Sequence, residues 1–426
     1  VHSRTKTYGP RIAPKRMKIA IIGGGICGLS LALNLKERGI ACRVYERAAE
    51  LKEFGVGITL LPHAMREFTA LGLADELLKA GIENRESRFY NRFGQLIYTE
   101  SRGKLAGYQY PEICIHRGRL HMILYKAVLA RLGADSVCTD YECTGAEQDE
   151  HGATVHFKNS TGGKRDSVRA DIVVDCEGIN STLRRQFYPA DKVAFAGINT
   201  WRGITRRKPI FDGRTYMRVG SILTGKIVIY PIIDDIDGNG HQLINWMAEI
   251  KRDTFEQNDW NKPGKLGDFF PLYESWRFDW LDVAKMIRDA DQILEYPMVD
   301  KDPIDKWTFG RITLAGDAAH PMYPRGSNGA AQAAIDARTL ADLLRSSADP
   351  RDALKAYETA RAGPAARVVR TNREHPPDFI NIKVEELVGD RPFDDLDKYI
   401  TQDELRALSE NYKRVAGFAL NDVGGR

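Results

Sequence analysis

No stretch of this 426-residue sequence stays apolar for the roughly 18 residues that a bilayer-spanning helix needs. Nor does a charged, then apolar, then small-residue signal peptide open it. The expectation is a cytoplasmic enzyme with no membrane partner. Cysteine is scarce: Cys27, Cys42, Cys114, Cys138, Cys143 and Cys176 are scattered, with no C-x-x-C pair and no histidines at zinc-site spacing. That argues against a metal site or a disulfide framework and leaves them as small buried hydrophobes. Excess charge of one sign is also missing, since 62 Lys and Arg against 58 Asp and Glu leave a net +4. Much of it sits in the opening "VHSRTKTYGPRIAPKR", which has no acid and reads as a disordered basic arm over 1–16. No basic face interleaved with aromatics follows, so no nucleic-acid partner is expected.

What is present is the make-up of a soluble globular protein, 43% hydrophobic and 28% charged, long enough for two domains or one with an insertion. "KIAIIG" predicts a strand buried on both faces. "ICGLSLALNLKERG" predicts a helix stopping at Gly39, and "ACRVYER" a second strand. This β-α-β unit makes the fold class α/β with a parallel sheet. From about 191 to 300, aromatic and β-branched runs such as "INTWRGITR" and "QLINWMAEI" alternate with polar turns, predicting an inserted, mostly antiparallel β-sheet. The α/β style returns with "RITLAGDAAH" and a helix from about Ala330 to Leu344. Past Pro364 the chain is polar, with one amphipathic helix at about 403–418.

The first β-α turn reads Gly23-Gly24-Gly25-Ile26-Cys27-Gly28, a G-x-G-x-x-G match between strand and helix. Gly23 permits the tight turn, Gly25 lets backbone approach a pyrophosphate, and Gly28 allows close helix–sheet packing. Glu46, 18 residues after Gly28, ends the second strand where an acid accepts hydrogen bonds from an adenosine ribose. Arg47 either reaches the adenine or a phosphate, or is a solvated surface charge. These residues point to NAD or FAD without choosing between them.

The segment "GDAAHPMYPRGSNGAAQAAIDA", Gly316 to Ala337, resembles the Gly-Asp motif of single-component (group A) FAD-dependent aromatic hydroxylases, typified by para-hydroxybenzoate and salicylate hydroxylases. The resemblance implies that Asp317, after Gly316, binds the ribityl chain of FAD. It also implies that Gly326, Asn328, Gly329 and Ala330, after Pro324, present helix N-terminal amides to the flavin pyrimidine edge. Physics read from the residues agrees, because reduced flavin carries negative charge there and a bare helix start stabilises it. "DIVVDCEGINSTLR" resembles the second fingerprint of the family, with Glu177 in place of the usual aspartate and Gly178, Ser181 and Arg184 retained. Arg184 has an equal reading as a structural ion-pair partner. Arg117 corresponds to the arginine that contacts the flavin ribityl or phosphate region, and "EFGVGITLLPHA", with Gly55, Gly57 and Ile58, to the loop that passes the isoalloxazine.

The resemblance implies a Rossmann-like FAD-binding domain (17–80, 112–190 and 293–365), a substrate-binding β-sheet domain (81–111 and 191–292) and a C-terminal helical segment (366–426). It implies tightly held FAD, transient NADH or NADPH, and O2 adding at the flavin C4a position as a hydroperoxide. The product would be a hydroxylated phenolic, amino-aromatic or N-heteroaromatic small molecule, with or without decarboxylation, made by a monomer or homodimer. Candidate residues lining the ring are Trp201, Arg202, Tyr230, Trp246, Tyr296 and Pro324. No catalytic base is identified; His320, beside Asp317, is a weak candidate. The alternatives are a flavin-binding sensor or partner-binding protein using the last helix, and a flavin halogenase, whose Trp-x-Trp-x-Ile-Pro signature is absent.

Overall fold

A computed structural model of the chain describes residues 17–255 and 262–423; the basic arm over 1–16 lies outside the described residues. Ile19–Ile22 is wholly buried because it is an interior strand. It pairs in parallel with Ile172–Asp175 on one side and Cys42–Tyr45 on the other. Two further parallel partners, Ile312–Leu314 and Val137–Cys138, and an antiparallel edge strand, Thr308–Phe309, complete a six-stranded sheet. The first helix, Ile26–Glu37, buries every residue from Cys27 to Leu35. It can do so because the helix Gly329–Ser346 packs against it, with the short side chains of Ala330, Ala333, Ala334 and Ala337 buried in the same core.

The second body is a seven-stranded sheet in the order Gln292–Lys301, Val193–Arg207, Gln242–Lys251, Gly225–Ile233, Thr215–Ser221, Glu86–Tyr90, Leu96–Ser101. Every pairing is antiparallel except that of Thr215–Ser221 with Glu86–Tyr90. The mostly antiparallel insertion is therefore present and runs to about 300 as its sequence predicts, but the domain boundary at 293 falls inside its edge strand. Gln292–Lys301 hydrogen-bonds along Val193–Arg207, so a boundary at 293 would cut through a sheet strand.

The C-terminal segment also differs from the sequence reading. Pro350–Glu374 is one helix running through Pro364. Proline removes one amide and crowds the preceding turn, yet Tyr357, Arg361, Ala365, Val368 and Val369 are buried on either side and hold the helix through it. A helix not anticipated, Phe379–Val388, buries Ile380 and Val384 near the sheet strands Glu86–Tyr90 and Thr215–Ser221. The anticipated amphipathic helix spans Gln402–Val415 and starts with a capping box between Thr401 and Glu404. No helix among the described residues is long and apolar enough to cross a membrane.

Candidate active site

The three glycines of the first turn separate by what surrounds them. Gly23 has φ +103°, and a Cβ there would lie 2.5 Å from the Cys176 carbonyl oxygen. A Cβ on Gly28 would overlap the Gly23 carbonyl. At Gly25 a Cβ would meet nothing within 4 Å. Gly23 and Gly28 are thus consumed by packing, and Gly25 leaves room beside a helix start that no side chain caps. Open space next to uncapped amides suits a pyrophosphate. The Glu46 carboxylate is anchored beside this turn, accepting from the amides of Gly24 at 2.7 Å and Ala48 at 2.8 Å. Arg47 is exposed and makes no ion pair among the described residues. His121, which the motif does not announce, braces the turn with Nε2 2.6 Å from the Gly24 carbonyl.

In the second fingerprint the side chains turn inward. Glu177 accepts from the Thr182 amide at 3.1 Å, and its own amide donates to Asp175 at 2.9 Å. Burial, and then the charge of Asp175, push the Glu177 carboxyl up to about 8. Gly178, at φ +80°, has open space where a Cβ would stand. Arg184 is fully buried, pairs with Asp191 at 2.8 Å, and donates to the carbonyls of Ala318 at 3.1 Å and Ala319 at 2.8 Å. The ion-pair reading of Arg184 is the one the geometry bears out, and through it the second fingerprint grips the Gly-Asp turn.

That turn is held from below. The amide of Gly316 donates to Asp336 at 3.0 Å, and Asp336 also receives His320 at 2.5 Å and Arg361 at 2.6 Å. His320 is 2% exposed with its ring against Trp307, so it braces the turn from behind and is not placed to exchange protons with a ligand. Asp317 and Pro324 are exposed. Asn328 stands at the N-cap of Gly329–Ser346 without capping it, which leaves the amides of Gly329, Ala330 and Ala331 with no side-chain acceptor. Gly329 has open space around it, whereas a Cβ on Gly326 would overlap the Tyr412 hydroxyl.

Arg117, exposed at the start of Arg117–Leu132, lies within electrostatic reach of Asp317, Arg202 and Tyr296. The Arg202 guanidinium lies 5.2 Å from the Tyr296 ring centroid, and its Nε has no partner. Burial lowers its pKa. Tyr230 stacks on Tyr216 at 4.8 Å on the same sheet face. Two tryptophans do not join them. Strand side chains alternate between faces, and Trp201 and Trp246 fall on the far face, where Trp201 stacks on Phe269 at 5.1 Å and Trp246 donates to Thr205 at 3.0 Å. They are core residues, not pocket lining. Gly57 also changes role: its amide donates to Asn245 at 2.7 Å, and a Cβ would lie 2.8 Å from Asn245 and Tyr230. Its bareness seats the loop strand on the sheet, while Ile58 is half-buried beside it.

Residues 16–207 and 291–372 match the family model described as FAD binding domain. The chain belongs to that family. It is 37% identical over 404 residues to phenazine 1,6-dicarboxylic acid hydroxylase PhzS of Lysobacter antibioticus, covering 93% of this chain and 96% of that protein. It is 33% identical to 3-amino-4-hydroxybenzoate 2-monooxygenase PtmB3 of Streptomyces platensis, covering 86% and 90%. Among solved structures, Klebsiella pneumoniae HpxO complexed with FAD and uric acid matches with a TM-score of 0.74 at 22% identity, over 97% of this chain and 98% of that one. The protein is thus a group A flavin-dependent monooxygenase with the Rossmann-like FAD-binding fold, inserted β-sheet and C-terminal helical extension. The residues present suit FAD: an open cradle at Gly25 and Gly178, an anchored acid at Glu46, an exposed Asp317 and an uncapped helix start at Gly329.

Proposed function

We propose that this chain hydroxylates a carboxylated aromatic or N-heteroaromatic ring, using NADH or NADPH and O2 as co-substrates. The observation carrying this reading is the half-buried Arg202, whose Nε is buried and unpaired, beside Tyr296. A cation partly taken out of water without a carboxylate partner carries a cost, and a carboxylate on the ring would offset it with charge-assisted hydrogen bonds. Two relatives named for carboxylated aromatics support the same class. The segments "TWRGIT", "LINW" and "YPMVDKDP" resemble those of 5-methylphenazine-1-carboxylate 1-monooxygenase, a likeness that bears on the subfamily and not on which ring is the substrate.

Bound FAD would accept hydride and activate oxygen. The chain's own work is to hold and shield. The Gly25 cradle and Glu46 take the adenosine end, Asp317 and Arg117 the ribityl and phosphate region, and the Gly329, Ala330 and Ala331 amides the pyrimidine edge, where negative charge develops. Arg202, Tyr230, Tyr296 and Pro324 orient the ring and keep water from it. The test is a panel of aromatic and heteroaromatic acids assayed for stimulated NAD(P)H consumption, oxygen uptake and peroxide release. Coupled oxygen insertion into at least one acid is expected. Stimulation that yields only peroxide across the panel would sink the substrate class, and a chain that takes up no FAD would sink the cofactor reading.

A further inference from the structure

The segment after Glu374 has no part in the site as described so far, yet it touches the turn that faces the flavin. Behind Tyr323–Asn328 runs a chain of buried hydrogen bonds with a consistent direction. His63 Nε2 lies 3.0 Å from Asn328 Oδ1, and Asn328 Nδ2 donates to the Tyr412 hydroxyl at 2.8 Å. Tyr412 donates to Asn372 Oδ1 at 2.9 Å, and Asn372 Nδ2 donates to the Tyr323 carbonyl at 3.1 Å. The relay thus leaves the turn at Asn328 and returns to it at Tyr323. His63, Asn328 and Asn372 are wholly buried and Tyr412 is 4% exposed. His63 stacks at 5.1 Å on Phe418, just beyond the tail helix, and burial lowers its pKa to about 3, so it serves as a neutral donor.

Two features of the turn need such a clamp. Ser327 has φ +56°, a left-handed conformation that disfavours a residue with a Cβ. Asn328, the N-cap residue, commits its Oδ1, the acceptor that could cap the helix start, to His63, and its Nδ2 to Gly326 and Tyr412. The amides of Gly329–Ala331 are therefore left open by the same contacts that fix the turn. A helix N-terminus free of its cap is available to a ligand.

We propose that Tyr412 is a positioning residue for the cofactor: the tail helix Gln402–Val415 completes the flavin site from behind by locking the 323–328 turn. The inference takes the FAD reading of that turn as given. It assigns no chemistry to Tyr412, whose hydroxyl acts through Asn328 and Asn372.

The test is hydrogen–deuterium exchange on the full chain, with and without FAD, for Tyr412→Phe and Asn372→Ala. Each variant removes one member of the relay and with it two hydrogen bonds, and Tyr412→Phe keeps the ring packing. Loss of these buried hydrogen bonds should speed exchange in 324–331 by roughly 5- to 30-fold. The Ala153–Lys158 strand, in a separate sheet, should keep its rates. The visible bands of bound flavin should shift, and FAD should bind more weakly by a similar factor. Unchanged exchange at 324–331 in both variants, or an equal rise in Ala153–Lys158, would overturn the proposal. A wild-type chain that takes up no FAD overturns the cofactor reading instead, and exchange on the apo chain still decides whether the clamp exists.

Discussion

His320 Nε2 and Asp336 Oδ2 lie 2.5 Å apart beneath the Gly-Asp turn, and the same carboxylate receives the Gly316 amide and the Arg361 guanidinium. Burial pushes the Asp336 carboxyl up, but the charges of His320 and Arg361 and their hydrogen bonds outweigh it and hold the group well below the ordinary range. A depressed carboxyl lends stability above its unfolded value of about 3.9 and loses it as pH falls through the folded value. Asp336→Asn should cost about 3–5 kcal/mol in urea unfolding at neutral pH, because a buried ion pair is broken on one side. The difference between variant and wild type should shrink in acid. A loss below about 1 kcal/mol would mean that the carboxylate does not organise the turn.

Gly25 and Gly28 belong to one motif but should fail in opposite ways when changed to alanine. At Gly25 the added methyl enters open space, so the apo chain should unfold within about 0.5 kcal/mol of wild type. Its FAD affinity should drop at least about tenfold, since the methyl occupies the cradle. At Gly28 the methyl overlaps the Gly23 carbonyl. There the fold itself should lose about 1–3 kcal/mol or more, as overpacking does. Chemical unfolding of the apo chain and a fluorescence titration with FAD read the two effects separately.

Why the glycine fingerprints were legible, and much around them was not, follows from which forces are local. Gly23 and Gly316 have positive φ, and a turn that needs glycine records the need in the sequence itself. The inserted sheet was visible as aromatic and β-branched runs between polar turns, but which face each side chain takes was not. Nothing in "INTWRGITR" says which of Trp201 and Arg202 faces the cleft, because that depends on which neighbouring layer each strand face meets. The helix Pro350–Glu374 was not legible, because the proline penalty at Pro364 is local, whereas the buried side chains that override it belong to the tertiary fold. His63, Asn372 and Tyr412 come from three distant segments, and no spacing rule links them.

Glu177 should make stability depend on pH in the opposite sense to Asp336. Burial, with the neighbouring Asp175 charge, raises its folded pKa to about 8. A carboxyl raised in this way weakens the fold as it ionises. Stability should therefore fall as pH climbs from the unfolded value, about 4.3, toward 8, and level off above it. Glu177→Gln keeps an acceptor for the Thr182 amide and removes the charge. The variant should match wild type near pH 5 and exceed it at pH 8.5 by about 1.4 kcal/mol or more, one unit's worth of shift. Urea midpoints at the two pH values settle the sign.

Arg202 and Trp246 sit on strands that hydrogen-bond to each other, yet they should give separable kinetic and thermodynamic results. Arg202 shares its face with Tyr296 and Tyr230, toward Arg117. Replacing it with Gln keeps length and polarity but removes the charge offered to a ring carboxylate. With an acid from the active panel, kcat/KM should fall about 10- to 100-fold, equivalent to about 1.4–2.8 kcal/mol, with most of the change in KM. With the corresponding neutral amide the wild-type advantage should vanish. Trp246 lies on the opposite face, 0% exposed and 6.0 Å from the Phe269 ring centroid. Trp246→Phe should lower stability by about 1–3 kcal/mol through lost packing and the lost bond to Thr205, and leave KM for the acid within about twofold. A Trp246 variant that shifts KM as Arg202→Gln does would put the substrate on the other side of the sheet, and with it the whole assignment of the pocket.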